Sequence, residues 1–376
     1  MSLPFLIALS AALHFYIGAR IVPGLPDAAG WLLAAWLVLS TVLTPVGLIA
    51  RRWLRPPLAD RLTWAGMLAM GLFSSLFVFT LLRDLLLLLA SLAAKAGLEV
   101  PAAFAPDSAI AVAVLALLAT VLGLANARRT AQVVRVDVKL APLPAALEGF
   151  RIVQISDIHV GPTIKGGYLD AIVDRVNALE ADVVAITGDL VDGTVADLAQ
   201  HVAPLARLRA RHGTYFVTGN HEYYSGVHGW VAELDRLGVR VLHNEHVVLQ
   251  HAGEQLVLAG VTDVGGHHFD PAHRSDPAAA AHGAPPDAVK VLLAHQPRSA
   301  AAAARAGFDL QLSGHTHGGQ FFPWSLFVPL QQPFTAGLHQ LDRMWVYVSR
   351  GTGYWGPPKR IGAPSEISEI RLAVSV

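Results

Sequence analysis

The chain has 376 residues, enough for more than one domain, and its apolar residues are concentrated in the first third. Its 28 basic and 28 acidic residues cancel, so no bulk charge draws it to nucleic acid and no nucleic-acid partner is expected. With no cysteine it has neither disulfides nor thiolate ligands, so any metal must sit on nitrogen and oxygen.

Residues 3–22, 29–50, 63–90 and 108–125 are each apolar and about long enough to cross a hydrocarbon core of roughly 30 Å as a helix. Four spans are expected, in an all-α bundle that makes the lipid bilayer a partner. Arg51, Arg52, Arg55 and Arg61 follow the second span, and Arg128, Arg129 and Arg135 follow the fourth. The positive-inside rule then puts the N-terminus and the large C-terminal region in the cytoplasm, on the inner face of a cell membrane. Arg83 and Asp84, late in the third segment, read as an interfacial pair with Arg83 snorkelling and the leucine run beyond lying along the surface. His14 in the first span does not by itself make a transport path.

The pattern changes near residue 131, which divides a membrane domain (1–130) from a second domain (131–376). Gln132–Lys139 alternates as a half-exposed strand, and Pro142 and Pro144 mark a linker. Arg151–Ser156, Asp182–Thr187, Thr214–Thr218, Val289–Ala294 and Leu310–Ser313 read as strands, and 167–179, 195–211, 227–238 and 297–306 as helices. This alternation defines an α/β domain. Between 240 and 262 strands follow one another directly, which suggests a second, more antiparallel sheet that 344–349 and 367–373 could join. Residues 270–287 read as a surface loop, with His267, His268, His273 and His282 in or beside it as solvated imidazoles.

Five segments carry the chemistry: Asp157-Ile158-His159, Gly188-Asp189, Gly219-Asn220-His221-Glu222, Ala294-His295-Gln296 and Ser313-Gly314-His315-Thr316-His317. Most follow a strand and a turn. Asp157 and His159 are two apart, so on a strand they share a face and could grip one ion together. Gly188 can take a turn conformation closed to other residues, and the two oxygens of Asp189 could bridge two ions. A lone Asp after a strand is usually a helix cap and a lone His a satisfied polar residue, but no structural need explains all five together. A two-metal site does: paired ions lower the pKa of bound water and offset charge in displacement at phosphorus.

In these motifs, and in Ser349-Arg350-Gly351-Thr352-Gly353, Pro357-Pro358-Lys359-Arg360 and Pro364-Ser365-Glu366-Ile367, the chain resembles the calcineurin-like metallophosphoesterase superfamily, specifically its bacterial membrane-anchored branch. The resemblance covers about 150–373 and implies the four-layer fold of that family, two packed mixed sheets flanked by helices. It also implies one metal on Asp157, His159, Asp189 and His317, and a second on Asp189, Asn220, His295 and His315. It casts His221 as the catalytic residue that faces the phosphate. Two divalent ions are therefore the expected cofactors, from Mn, Fe, Zn, Co or Ni, since a His, Asp and Asn set does not choose among them.

The expected activity is that of a metal-dependent phosphodiesterase acting through a metal-bridging hydroxide, with a phosphoester substrate that the membrane tether suggests is lipid-linked. The other readings are a pyrophosphatase of a nucleotide-linked diacyl sugar, as in lipid A synthesis, and a non-hydrolytic metal-binding scaffold. A transporter would need polar residues along the bundle, and only His14, Arg83 and Asp84 offer themselves. The apolar stretch 321–334 is either a core segment under the metal loop or a membrane-facing lip carrying Trp324 and Phe327.

Overall fold

In hydrocarbon a backbone can satisfy its polar groups only within itself, and the predominantly apolar runs of the first third accordingly form helices. They are α1 (Leu3–Ile21), α2 (Asp27–Ile49), α3 (Leu58–Lys95) and α4 (Phe104–Arg128). The computed structural model describes residues 3–141 and 143–374; Pro142, half of the expected linker, lies outside the described residues. All four helices are long and apolar enough to cross a membrane, and the chain is a membrane protein. Phe15, Trp31, Leu32 and Val38 point outward from them, as expected where the solvent is lipid. Gly47 of α2 and Gly66 of α3 let two backbones meet: a Cβ on either would lie 2.6 Å from the Cα of the other.

Arg83 departs from the expected pairing. It is buried, and its guanidinium donates to Ser108 Oγ, the Arg20 carbonyl and the Ala105 carbonyl, each at 3.0 Å. Asp84 turns instead to Tyr16 Oη at 2.7 Å and Arg20 Nη2 at 2.9 Å. Neighbours on a helix lie about 100° apart, so the two side chains meet different partners. The leucine run does not bend away either; α3 continues unbroken for 38 residues. His14 is a satisfied interhelical contact, with Nε2 2.9 Å from Ser40 Oγ and Nδ1–H donating to the Ser10 carbonyl at 2.8 Å.

Contacts divide the chain into two compact units, Met1–Arg128 with Gly356–Ile361, and Arg129–Trp355 with Gly362–Val376. Within the first, Lys359 is buried and its ammonium donates to the Gly71 carbonyl at 2.9 Å and to Ser75 Oγ. Burial pushes its pKa down to about 8. The unfolded chain therefore holds more protons than the folded one between about 8 and an unperturbed value near 10.4, and stability rises with pH across that window. The melting midpoint of the full chain in detergent is expected to climb over this range, and Lys359→Met to flatten the climb.

The second unit begins with β1 (Gln132–Leu140), β2 (Arg151–Ile155), α5 (Gly166–Asn177), β3 (Val183–Ile186), α6 (Val195–Val202), β4 (Thr214–Phe216), α7 (Asn220–Ser225), α8 (Val227–Arg236) and β5 (Val239–Val241). There follow β6 (Glu245–His251), β7 (Glu254–Gly260), α9 (Pro277–Ala281), β8 (Val289–Leu293), α10 (Ala300–Arg305), β9 (Leu310–Ser313), α11 (Trp324–Phe327), β10 (Gly337–Leu341), β11 (Met344–Val348) and β12 (Glu366–Val374). Two six-stranded mixed sheets result, ordered β1-β12-β2-β3-β4-β5 and β10-β11-β9-β8-β7-β6. The first has one antiparallel pairing, β12 with β2; the second has two, β10 with β11 and β6 with β7.

Alternation along the strands builds the core between the sheets. Ile152, Val183 and Ile370 of the first sheet face Leu258, Val291 and Leu312 of the second. The opposite residues of the second sheet, Ala259, Leu292 and Val346, meet Ala280 of α9 and Ala300 and Ala303 of α10, so helices cover the outer face. This is the metallophosphoesterase fold.

Two expectations are corrected. The strand at 367–373 joins the first sheet, not the second, filling the gap between β1 and β2 with Ile367 opposite Val133 and Ser368 opposite Gln154. Residues 344–348 do lie in the second sheet. The helix expected over 195–211 stops at Val202, because Pro204 has no N–H to continue it, and gives way to a 3-10 turn over Ala203–Arg207.

Candidate metal centre

Each of the five segments leaves the end of a strand, and in three of them the backbone is strained. Asp157, His159, Asp189, His315 and His317 all have φ between 51° and 70°, in the left-handed region that L-residues enter at about 1–2 kcal/mol each. Such strain, concentrated at one place, marks a functional constellation. The intervening glycines are sterically required. A Cβ on Gly188 would lie 2.8 Å from His295 Nδ1, one on Gly219 would strike the Asp189 carboxylate, and one on Gly314 would strike Ser156 and Asp157.

The turns bring the side chains into overlapping buried groups. Asp157, His159 and His317 form one; Asp189, His295 and His315 another; and His159, Asp189 and His221 link them, with ligand atoms within 4.8 Å in each group. The tautomers suit cation binding. His295 Nδ1–H donates to the Thr187 carbonyl at 2.8 Å, and His159 Nδ1–H to Asp192 Oδ1 at 3.0 Å, so in each ring, when neutral, Nε2 carries the lone pair. His159 Nε2 then faces His317 Nε2 at 3.1 Å, and His295 Nε2 faces His315 Nδ1 at 3.1 Å. Asp189 Oδ2 lies 3.2 Å from His295 Nε2 and 4.0 Å from both His159 Nε2 and His221 Nε2. Asn220 Oδ1 is buried and has no hydrogen-bond partner among the described residues. Leaving a buried acceptor unmet costs about 1–3 kcal/mol, and a cation would meet it. The donor set therefore fits two divalent ions.

Electrostatics follow from the same packing. Burial holds Asp157 above the usual carboxylate range. Burial also works against charge on Asp189, but the His295 and His221 imidazoles outweigh it and hold the carboxyl well below that range. Burial, then His295, pushes His315 down to about 3, so it stays neutral as a ligand must. His221 behaves in the opposite way. Although burial opposes its charge, Asp189 and Asp192 raise it to about 9.

Two residues at the centre escape a reading of the sequence for ligands. Asp192 Oδ1 accepts from both His159 Nδ1 and His221 Nδ1, the latter at 2.6 Å, and so orients both rings. Glu222 accepts from the backbone N–H groups of Asp189, Leu190 and Gly219 at 3.0, 2.8 and 2.7 Å and locks the two turns together. Glu222 sits inside a motif, which is the signal that could have found it; Asp192 follows Gly188-Asp189 by a spacing that has no local signature.

A cavity of about 330 Å³ opens beside His315 and Asn220, walled by Tyr224, Asp263, His268 and Arg298. His267 and His268 line it; His268 and His282 are exposed as expected, whereas His273 is buried and departs from the expectation of a solvated loop residue. Trp355 packs edge-on to the His221 ring, with centroids 5.8 Å apart. The stretch 321–334 divides between its two readings. Phe321 is buried and Phe334 packs on the outer core, while Phe322, Trp324, Leu326, Phe327 and Leu330 are 48–79% exposed.

The fold and these His/Asp groups define a calcineurin-like metallophosphoesterase: the profile of the calcineurin-like phosphoesterases matches residues 150–319, and the chain belongs to that family. It is 45% identical over 276 residues to a transmembrane protein with metallophosphoesterase domain from Bos taurus, a match covering 70% of this chain and 62% of that protein. It is 34% identical over 314 residues to an uncharacterised metallophosphoesterase of Campylobacter jejuni, covering 82% of each. The match thus spans less than two thirds of the length of the bovine relative. A 5'-nucleotidase precursor from Thermus thermophilus aligns at TM-score 0.39 and 17% identity, over 60% of this chain and 54% of that one, too distantly for function to follow.

Proposed function

We propose that this is a membrane-anchored phosphodiesterase whose domain of residues 131–376 cleaves a P–O bond in a lipid-linked diester or pyrophosphate, held to a membrane by residues 1–130. The observation that carries this reading is the pair of buried His/Asp groups joined through Asp189, with the orphaned Asn220 Oδ1 beside them. Asp157, His159, Asp189 and His317 would hold one ion, and Asp189, Asn220, His295 and His315 the other. Two ions held there supply a low-pKa water and polarise the phosphoryl oxygens. The basic residues after the second and fourth helices favour a cytoplasmic position for the domain.

The chain's own residues handle the proton. His221 Nδ1–H is committed to Asp192, so Nε2 is the free edge. With its pKa raised by Asp189 and Asp192, His221 is protonated at neutral pH and can donate from Nε2 to the departing oxygen. His159 makes the same contacts to Asp192 and Asp189, so His221 is kept out of the metal set by the family resemblance and not by these distances.

The test uses the full chain in detergent, loaded with Mn2+, on bis-p-nitrophenyl phosphate and p-nitrophenyl phosphate. Faster cleavage of the diester, abolished by a chelator and restored by metal, is the expected outcome. If two ions bind and neither ester is cleaved, the site is either restricted to another substrate or a scaffold.

The lipid part of the reading rests on the exposed apolar segment around α11, which sits against the metal loop: a Cβ on Gly319 would strike Ser325. Aromatic rings such as Trp324 and Phe327 favour the membrane interface. Burying one Phe is worth about 1.5–3 kcal/mol. Phe327→Asp is therefore expected to lower kcat/KM on a detergent-dispersed lipid diester by about tenfold or more, while turnover of the small soluble diester holds. Full activity of the variant on the lipid would remove the lip.

A further inference from the structure

A third convergence of metal-binding side chains lies outside the site just described. His228 comes from α8, while Asp270 and His273 come from the segment after β7, which makes 3-10 turns at Gly266–His268 and Pro271–His273. His228 Nε2 is 3.3 Å from Asp270 Oδ2, and His273 Nε2 is 3.9 Å from the same oxygen. Ligand atoms of all three lie within 4.8 Å of one another. Ligands about 2.0–2.2 Å from a tetrahedral zinc are separated by roughly 3.3–3.6 Å, so small side-chain adjustments close this set around one ion.

The surroundings hold the three groups in place. Asp270 Oδ1 accepts the Ala272 N–H at 2.9 Å, which leaves Oδ2 to the imidazoles. His273 is buried, and its Nδ1 is 2.9 Å from Tyr223 Oη, which is in turn 3.2 Å from Thr218 Oγ1. In the ligating tautomer Nδ1–H donates to Tyr223, and the Tyr223 hydrogen goes to Thr218, so Nε2 keeps its lone pair for the ion. A further imidazole, His243, packs against His273 with ring centroids 4.9 Å apart, and its buried Nε2 has no hydrogen-bond partner among the described residues. His228 is mostly exposed and opens onto a cleft shared with Phe269 and Asp270, where water can complete the coordination. An ordinary His–Asp ion pair explains one of these imidazoles. It does not explain a second, buried and oriented by Tyr223, beside a third with an unmet nitrogen.

We propose that His228, Asp270 and His273 form a third, mononuclear site for a borderline divalent cation of the Zn2+ type, which ties the segment 264–273 to α8. Two imidazoles and a carboxylate with an open position suit that ion better than Mg2+ or Ca2+, which prefer oxygen alone. The site has a route to the cavity beside His315 and Asn220. Val264, Gly265, His267 and His268 of the same segment line it, and Thr218 Oγ1 accepts the Asp263 N–H at 3.2 Å. Filling the third site fixes that wall, so occupancy governs substrate affinity rather than the chemical step. The metal count below does not depend on the phosphodiesterase reading.

The experiment titrates the full chain in detergent with Zn2+ and counts bound metal for wild type, His228→Ala, Asp270→Asn and the double variant. A wild-type stoichiometry one equivalent above that of the double variant, with the remaining ions retained, is expected. Zn2+ should also protect the 264–276 segment from proteolysis in wild type alone. His228 is exposed, so its removal does not threaten folding, and a matched melting midpoint checks this. Equal metal content in wild type and double variant, or zinc protection that persists in the double variant, overturns the proposal.

Discussion

Asp189→Asn is expected to lower kcat/KM for the diester by at least about 10³-fold and to strip the centre of tightly bound metal. The substitution keeps shape and removes charge. Asp189 is the carboxylate shared by two of the buried groups, and its Oδ2 lies within 4.0 Å of His159, His221 and His295 together. On the proposed assignment, its loss would leave the two ions without a shared anionic ligand and remove several kcal/mol of transition-state charge stabilisation. Each 1.36 kcal/mol is a factor of about ten, which sets the magnitude. Oδ1 also accepts the His221 N–H at 2.8 Å, a bond the Asn oxygen can keep, so the fold should survive. Metal analysis, a melting curve and kinetics on one preparation check all three. A variant that binds two ions and turns over normally would show that Asp189 is not the bridge.

His221→Ala separates chemistry from metal binding. Loss of a positioned general acid costs about 10²–10⁴-fold, expected here in kcat, with both ions still bound. The pH profile supplies a signature. The carboxylates Asp189 and Asp192 raise His221 to about 9, and a raised base keeps its proton until the pH passes that value. Wild-type activity should therefore fall on the alkaline side, with the limb below about 9 because bound cations offset the carboxylate charge. That limb should vanish in the variant. Persistence of the limb in His221→Ala would assign it to another group.

Much of this architecture is readable from the chain because the informative patterns are local. Predominantly apolar runs of bilayer length read as helices, and β-rich runs ending in Gly-Asp or Gly-His announce strand-end turns. The candidate ligands are legible for the same reason, since each lies within a few residues of its strand end. Asp192 is not, because its role is to stand between His159 and His221, which come from different turns. Arg83 departs from its expected pairing with Asp84 because its hydrogen-bond partners, Ser108 and the Ala105 and Arg20 carbonyls, belong to other helices. The alternation of the strand at 367–373 suits either sheet, and only its pairing with β1 and β2 decides.

The membrane helices, the α/β character and the ordered set of His, Asp and Asn residues depend on periodicity, length and residue chemistry within short windows, and the chain alone is enough to read them. Which imidazole nitrogens face one another, that Asn220 Oδ1 is left without a partner among the described residues, and that His228 meets Asp270 and His273 emerge only on folding. Those facts depend on the packing of segments far apart in the chain. Contacts of that kind have no local pattern, because the free energy that creates them comes from burying the two sheets against each other.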